Sequence, residues 1–301
     1  MSLQQVKSET EKCILLATDF SISAQQAFTY AISFATTLKA RLVILTVVKA
    51  LPWARNSPSL HGRHTAALLE LGRLARIASE SSLTVRPNLV LGAPSPSILE
   101  IAQEIKATLV IMGTHGRTGW DRIELGSTAE AVVRSAPCPV LTVRGIKTNR
   151  VQGNGDPISL SRVLVPIDFS ACADRALVYA GKLGEQFGAH IRLLHVDEQE
   201  TIDHKKSLTG SSSEEKTRQA QLRRRLRRRM LTLQRHHLQS DFVIKPGSPR
   251  KVILTQAKGC SSDMIVMGTH GRQGVAQMVF GSVAAYVVRH SSCPVLSIKT
   301  S

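Results

Sequence analysis

The sequence predicts an α/β protein built from two copies of one doubly wound, five-stranded parallel-sheet domain. Three observations carry that expectation. The line VIMGTHGRTGWDRIELGSTAEAVVRSAPCPVLTVR, residues 110–144, returns as IVMGTHGRQGVAQMVFGSVAAYVVRHSSCPVLSIK at 265–299, and 17 of the 34 positions starting at 111 and 266 are identical, so the chain is a duplication. Short β-branched runs alternate with longer stretches of helical spacing. Between the copies, GIKTNRVQGNGDPISLS (145–161) lacks an apolar period and gathers Gly, Asn, Asp and Pro, which reads as a linker. The expected domains are 1–147 and 160–301.

Taken in order, CILLATD is the first strand and SAQQAFTYAISFATTLKA the first helix. ARLVILTVV, LTVRPNLVL, ATLVIMG and CPVLTVR are the four further strands, and helical stretches such as PSILEIAQEIKA fall between them. Near-continuous apolar strands joined by helices point to a parallel sheet covered on both faces. Right-handed crossovers then leave chiefly the open doubly wound topologies. The second copy repeats the order with SRVLVPID, AHIRLLHV, SDFVIKP, SDMIVMG and CPVLSIK. Asp19 and Asp168 correspond at an offset of 149, Gly113 and Gly268 at 155, so copy two carries about six more residues between those points. The polar stretch DEQETIDHKKSLTGSSSEEK (197–216) is expected to be a loop within copy two.

A length of 301 residues suits two domains, each large enough to bury its own core. Aromatic residues make up only 4%, so those cores must rest on Val, Ile, Leu and Ala. No apolar run approaches the ~20 residues of a membrane span, and the polar N-terminus does not read as a signal peptide, so the expected location is cytoplasmic. Five cysteines with no C-x-x-C pair argue against a disulfide framework and a zinc ribbon. Cys138 and Cys293 both precede Pro and are read as small buried residues. Nothing in the chain resembles a metal site. A net charge of +17 favours anionic partners without saying which.

Each copy ends its fourth strand in Met-Gly-Thr-His-Gly, and the glycines continue as G-x2-G-x9-G-S. The residues are Gly113, Gly116, Gly126 and Ser127, then Gly268, Gly271, Gly281 and Ser282. A helix opens directly after, and its unpaired N–H groups and positive dipole end suit a phosphate. Glycines let a backbone approach phosphates and take positive φ, while the serine could bond a phosphate oxygen or cap the helix. The spacing fits neither the Walker A pattern nor the dinucleotide fingerprint. By itself the loop leaves a second reading open, a long β-to-α connection that needs turns. Asp19 and Asp168 sharpen the first reading. With strand order 3-2-1-4-5 they end strand one beside strand four, where such sheets bind ligands. Their alternative role is to cap the following helix, although Ser21 and Ser170 already offer capping groups. His115 and His270 lie in the loop without a visible catalytic partner and are read as packing residues.

V-P-x-D-F-S near the start of a copy, G-x2-G-x9-G-S after its fourth strand and C-P-V-L in its last strand together resemble the universal stress protein family. The resemblance covers both halves, about residues 10–145 and 160–300. It implies a tandem member whose fifth strands pair between the domains, a stress-response sensor or regulator rather than a fast enzyme. It also implies ATP as cofactor, with or without magnesium: the strand-one Asp meets the ribose, and the loop glycines and serine hold the phosphates. Val47 and Val196, ending strand two, meet adenine through their backbone. Copy one departs from the pattern with Ala17 where copy two keeps Pro166. Its loop also carries Asp121 and Glu124, like charges to a phosphate, so copy two is expected to be the better site. Slow ATP hydrolysis or autophosphorylation is the enzymatic alternative, and a homodimer is a further assembly left open.

TRQAQLRRRLRRRMLTLQRHH sets Leu222, Leu226, Met230 and Leu233 on one helical face and arginines on the rest. Its plainest reading is a solvated basic face. Weak contact with nucleic acid or an acidic surface is the functional one, by which the chain would act as an interaction module without nucleotide.

Overall fold

The computed structural model describes residues 12–49, 58–114, 125–145, 158–198, 213–270 and 280–299. In the first half these form β1 (Cys13–Ala17), α1 (Ile22–Leu38), β2 (Arg41–Val48), α2 (Pro58–Ser79), β3 (Val85–Leu91), α3 (Pro94–Glu104), β4 (Leu109–Gly113), α4 (Ser127–Ser135) and β5 (Val140–Val143). The second half forms β6 (Arg162–Pro166), α5 (Ala171–Phe187), β7 (His190–Asp197), α6 (Ser213–Gln234), β8 (Ser240–Pro246), α7 (Pro249–Gly259), β9 (Met264–Gly268), α8 (Ser282–His290) and β10 (Val295–Ile298).

All ten strands join one sheet, in the order β3-β2-β1-β4-β5-β10-β9-β6-β7-β8. Each half has the expected order 3-2-1-4-5, parallel throughout. The seam is antiparallel: Leu141 of β5 pairs with Leu296 of β10, and the Thr142 hydroxyl donates to the Val295 carbonyl at 3.2 Å. The central strands are buried along almost their whole length because helices cover both faces of the sheet. The two edge strands, β3 and β8, carry Pro87 and Pro246, tolerable where no further strand needs the missing N–H.

One core lies on each face, and each runs through the seam. On one face α1 meets α5, with the rings of Phe34 and Phe187 5.0 Å apart. On the other, α4 and α8 contribute Val132, Val133, Val287 and Val288, and Arg289 bonds Glu130 across the seam at 3.1 Å. Ser21 and Ser170 are the N-caps of α1 and α5, accepting from Ala24 and Ala173. α6 settles on α5, where a Cβ at Gly181 would lie 3.1 Å from Leu233 and one at Gly184 3.0 Å from Leu238. Leu226 and Leu233 are buried and Leu222 and Met230 half-buried, so the apolar face of the arginine-rich helix is spent on the core. No described helix is long and apolar enough to cross a membrane.

Candidate functional site

In each half the first strand ends and the chain turns sharply away. Thr18 and Ile167 still bond the carbonyls of Leu45 and Leu194, at 2.9 and 2.7 Å. Phe20 and Phe169 then take left-handed φ values of 64° and 66°. A bulky residue in that region is strained, and the same strain recurs in both copies. Asp19 and Asp168 sit just before it, half-buried. Asp19 Oδ1 accepts from the Ser21 N–H at 3.1 Å. Asp168 Oδ1 accepts from the Ser170 N–H at 3.0 Å and its hydroxyl at 2.6 Å. The serine caps therefore do not leave these carboxylates idle in the fold: each aspartate also braces its own turn.

The strand order puts β4 beside β1 and β9 beside β6, so the glycine segments start next to these aspartates. The described loop glycines have a role that the sequence reading did not contain. None of Gly113, Gly126, Gly268 and Gly281 has positive φ. What they require is space. A Cβ at Gly113 would lie 2.9 Å from the Ala24 nitrogen, and one at Gly268 would lie 2.8 Å from Cys172 Sγ, so α1 and α5 rest directly on these strand ends. Gly126 and Gly281 donate their N–H groups to the carbonyls of Thr114 and Thr269, at 2.9 and 2.8 Å. That bond closes the base of each loop. Gly116, Gly271 and His115 lie outside the described residues.

Gly126 and Gly281 are the N-caps of α4 and α8, and no side chain caps either helix. Ser127 and Ser282 are the first helical residues and are exposed, so they do not serve as caps. Each helix thus begins with first-turn N–H groups directed at the end of the sheet and no capping hydroxyl against them. His270 bonds the Thr269 hydroxyl through Nδ1 at 2.8 Å, while its Nε2 is buried without a partner among the described residues. Sequence reasoning assigned His270 to packing. The orphaned nitrogen depends on the tertiary fold and has no sequence signal.

Val47 and Val196 lie further along β2 and β7. The β1–β2 register ends at Ala17 opposite Leu45, and the Gly92 N–H bonds the Val48 carbonyl on the opposite side. By strand alternation the peptide groups of Val47 face β1, beyond its end. Val196 has the same placement, since Ile167 bonds Leu194 and Gly247 bonds Asp197. In each half the aspartate, the valine backbone and the helix start therefore lie at the same end of the sheet, the carboxyl ends of the strands. Copy two differs in one respect. Asp197, where copy one has Val48, is buried and paired with Arg218 of α6. A separate recess of about 260 Å³, lined by Arg162, His190, Arg192 and Cys260, opens at the opposite ends of β6 and β7. Its Arg192 is tied to Asp241, which is held below the usual carboxylate range by that guanidinium.

A ten-stranded sheet made of two doubly wound halves defines a tandem two-domain α/β protein, with a topological switch point between strands one and four of each half. The chain belongs to the universal stress protein family, whose model matches residues 11–144 and again 160–299. It is 33% identical over 139 residues to a universal stress protein of Methanocaldococcus jannaschii, covering 44% of this chain and 82% of that one. It is 28% identical over 229 residues to one of Mycobacterium bovis, covering 75% of this chain and 72% of the relative. The crystal structure of a universal stress protein from Archaeoglobus fulgidus superposes with a TM-score of 0.72 at 23% identity, covering 96% of this chain and 99% of that one, and shares the fold.

Proposed function

We propose that each half of the chain binds ATP in its crevice and that the protein acts in the cytoplasm as a stress-response regulator, through occupancy rather than turnover. The observation that carries this reading is the repeated helix start: a glycine N-cap tied to a threonine carbonyl, with no side-chain cap, beside a half-buried aspartate. An uncapped helix N-terminus favours an anion by about 0.3–1 kcal/mol at an exposed site and more when partly buried. The unpartnered Nε2 of His270 adds a donor suited to a phosphate oxygen in copy two.

In this reading Asp19 and Asp168 accept from ribose hydroxyls, and the peptide groups of Val47 and Val196 meet the adenine edge. Gly113, Gly116, Gly126 and Ser127 line the phosphates in copy one, and Gly268, Gly271, Gly281 and Ser282 do so in copy two. Magnesium arrives with the phosphates, since it characteristically binds through nucleotide oxygens plus one or two carboxylates. Among the described residues no cluster of three His, Cys, Asp or Glu could hold a metal ion unaided.

Heating the purified protein and identifying any nucleotide it releases gives the first test, and calorimetric titration with ATP gives the second. The expected result is binding that Asp168→Ala weakens at least as much as Asp19→Ala. A larger loss from Asp19→Ala would reverse the ranking of the two sites. No detectable ATP binding up to about 1 mM, an affinity of only ~4 kcal/mol, would overturn the assignment. Hydrolysis at about 1 s⁻¹ or faster would make the chain an enzyme instead.

A further inference from the structure

α6 carries eight Lys and Arg residues against two Glu, and three of its arginines are accounted for within the fold. Arg218 pairs with Asp197 and Glu215. Arg229 pairs with Asp174 at 2.6 Å, and the guanidinium of Arg225 lies 3.8 Å from the centre of the Phe169 ring. Arg223, Arg224, Arg227 and Arg228 are exposed and make no ion pair among the described residues. They fall at i, i+1, i+4 and i+5, two pairs of guanidinium groups about 6 Å apart along one side of the helix. Like charges four residues apart oppose helix formation, so this arrangement works against α6 itself.

The fold does not require it. α2 occupies the same place in copy one with only three arginines, and one of these, Arg73, is neutralised by Glu70 at 2.9 Å. We infer that the exposed side of α6 is a docking surface for the phosphate backbone of double-helical DNA. Guanidinium is the side chain best matched to phosphate oxygens. A membrane surface fits less well, because Leu226 and Leu233 are buried in the core and leave no continuous apolar face to enter lipid. A single strand fits less well too, because α6 has no aromatic residue on which bases could stack. The wide major groove of B-form DNA admits a helix with phosphates on both sides, whereas the groove of A-form RNA is deep and narrow.

The test is anisotropy of a labelled random-sequence DNA duplex titrated with full-length protein between about 20 and 200 mM salt. Two variants keep the same net charge as each other. In one, Arg223, Arg224, Arg227 and Arg228 become Gln; in the other, Lys39, Arg63, Arg76 and Lys106 in the first half become Gln. The expected result is sequence-independent binding that falls steeply with salt. Each phosphate contact contributes about 0.9 to the slope of log affinity against log salt, so the α6 variant, with four arginines removed, is expected to flatten it by about 3.6 and lose more than tenfold in affinity at low salt. The first-half variant is expected to retain the wild-type slope within about one unit. Thermal melting of the α6 variant, expected to match wild type or rise slightly as the like-charge repulsion is relieved, and ATP titration, expected to match it, separate this surface from the proposed nucleotide sites. Equal losses in the two variants, no loss in the α6 variant, or tighter binding to duplex RNA or to anionic phosphatidylserine vesicles than to DNA would each overturn the inference.

Discussion

Glycine 268 shows how a single missing methyl group can serve packing. Its Cβ would meet Cys172 Sγ at 2.8 Å and the Cys172 backbone carbon at 2.9 Å, both in the first turn of α5. Gly268→Ala is therefore expected to destabilise the chain by about 1–3 kcal/mol in urea unfolding without any nucleotide present. A midpoint equal to wild type would show that α5 can retreat. Gly281 is constrained in the same way, with Thr269 O 2.7 Å from a Cβ, so a β-branched residue there would disturb the loop base as well as any ligand. Ser282→Ala, at an exposed position that caps nothing, probes the phosphate reading more cleanly. The corresponding cysteines of the two halves, both free, bear on alkaline stability. Burial pushes the thiol of Cys138 from 9.0 up to about 12 and that of Cys293 up to about 11. The folded chain keeps two protons that the unfolded chain releases near pH 9, so stability present below that pH is lost as pH rises from 9 toward 11–12. Chemical denaturation at pH 8 and pH 10 is expected to show the decline. Replacing both residues by Ala should reduce its slope, and an unchanged slope would remove these thiols from the account.

At the scale of one element, α6 is fastened by buried leucines, as α2 is, and also by ion pairs to Asp197 and Asp174. Leu226 is fully buried, and Leu226→Ala is expected to cost about 2–5 kcal/mol in equilibrium unfolding. Asp174→Asn removes the partner of Arg229, yet that carboxylate is half exposed, and a loss under about 1 kcal/mol is expected. The reverse ranking would mean that charge rather than packing holds the helix. The spacing of Leu222, Leu226, Met230 and Leu233 made this face legible in the sequence, as did the continuous apolar runs of the central strands. Periodicity reports which side of an element is covered. It does not report what covers it. Arg225 on Phe169, Arg218 on Asp197 and Ala24 against Gly113 join residues 20 to 90 positions apart, and only the assembled sheet with its helices brings them together. The proposed site was legible only in part. Its aspartates and glycines stand out by repetition, whereas the strained Phe20 and Phe169 and the orphaned nitrogen of His270 follow from tertiary placement.

At the scale of the whole molecule, the seam between β5 and β10 turns two five-stranded sheets into one of ten strands. Leu141 and Leu296 pair at its centre, both buried. A first half produced alone as residues 1–147 would leave β5 as an open edge with an apolar flank. It is expected to self-associate, measured as a dimer by size exclusion with light scattering, and a stable monomer would show that the edge protects itself. The direction of pairing at the seam has a second effect. Because β10 runs against β5, every strand of the second half points opposite to every strand of the first, so the two proposed sites lie at opposite edges of the sheet. A large partner seated over one proposed site would leave the other facing bulk water. If both proposed sites bind, the duplication gives the molecule two faces, each able to take its ligand while the other is covered.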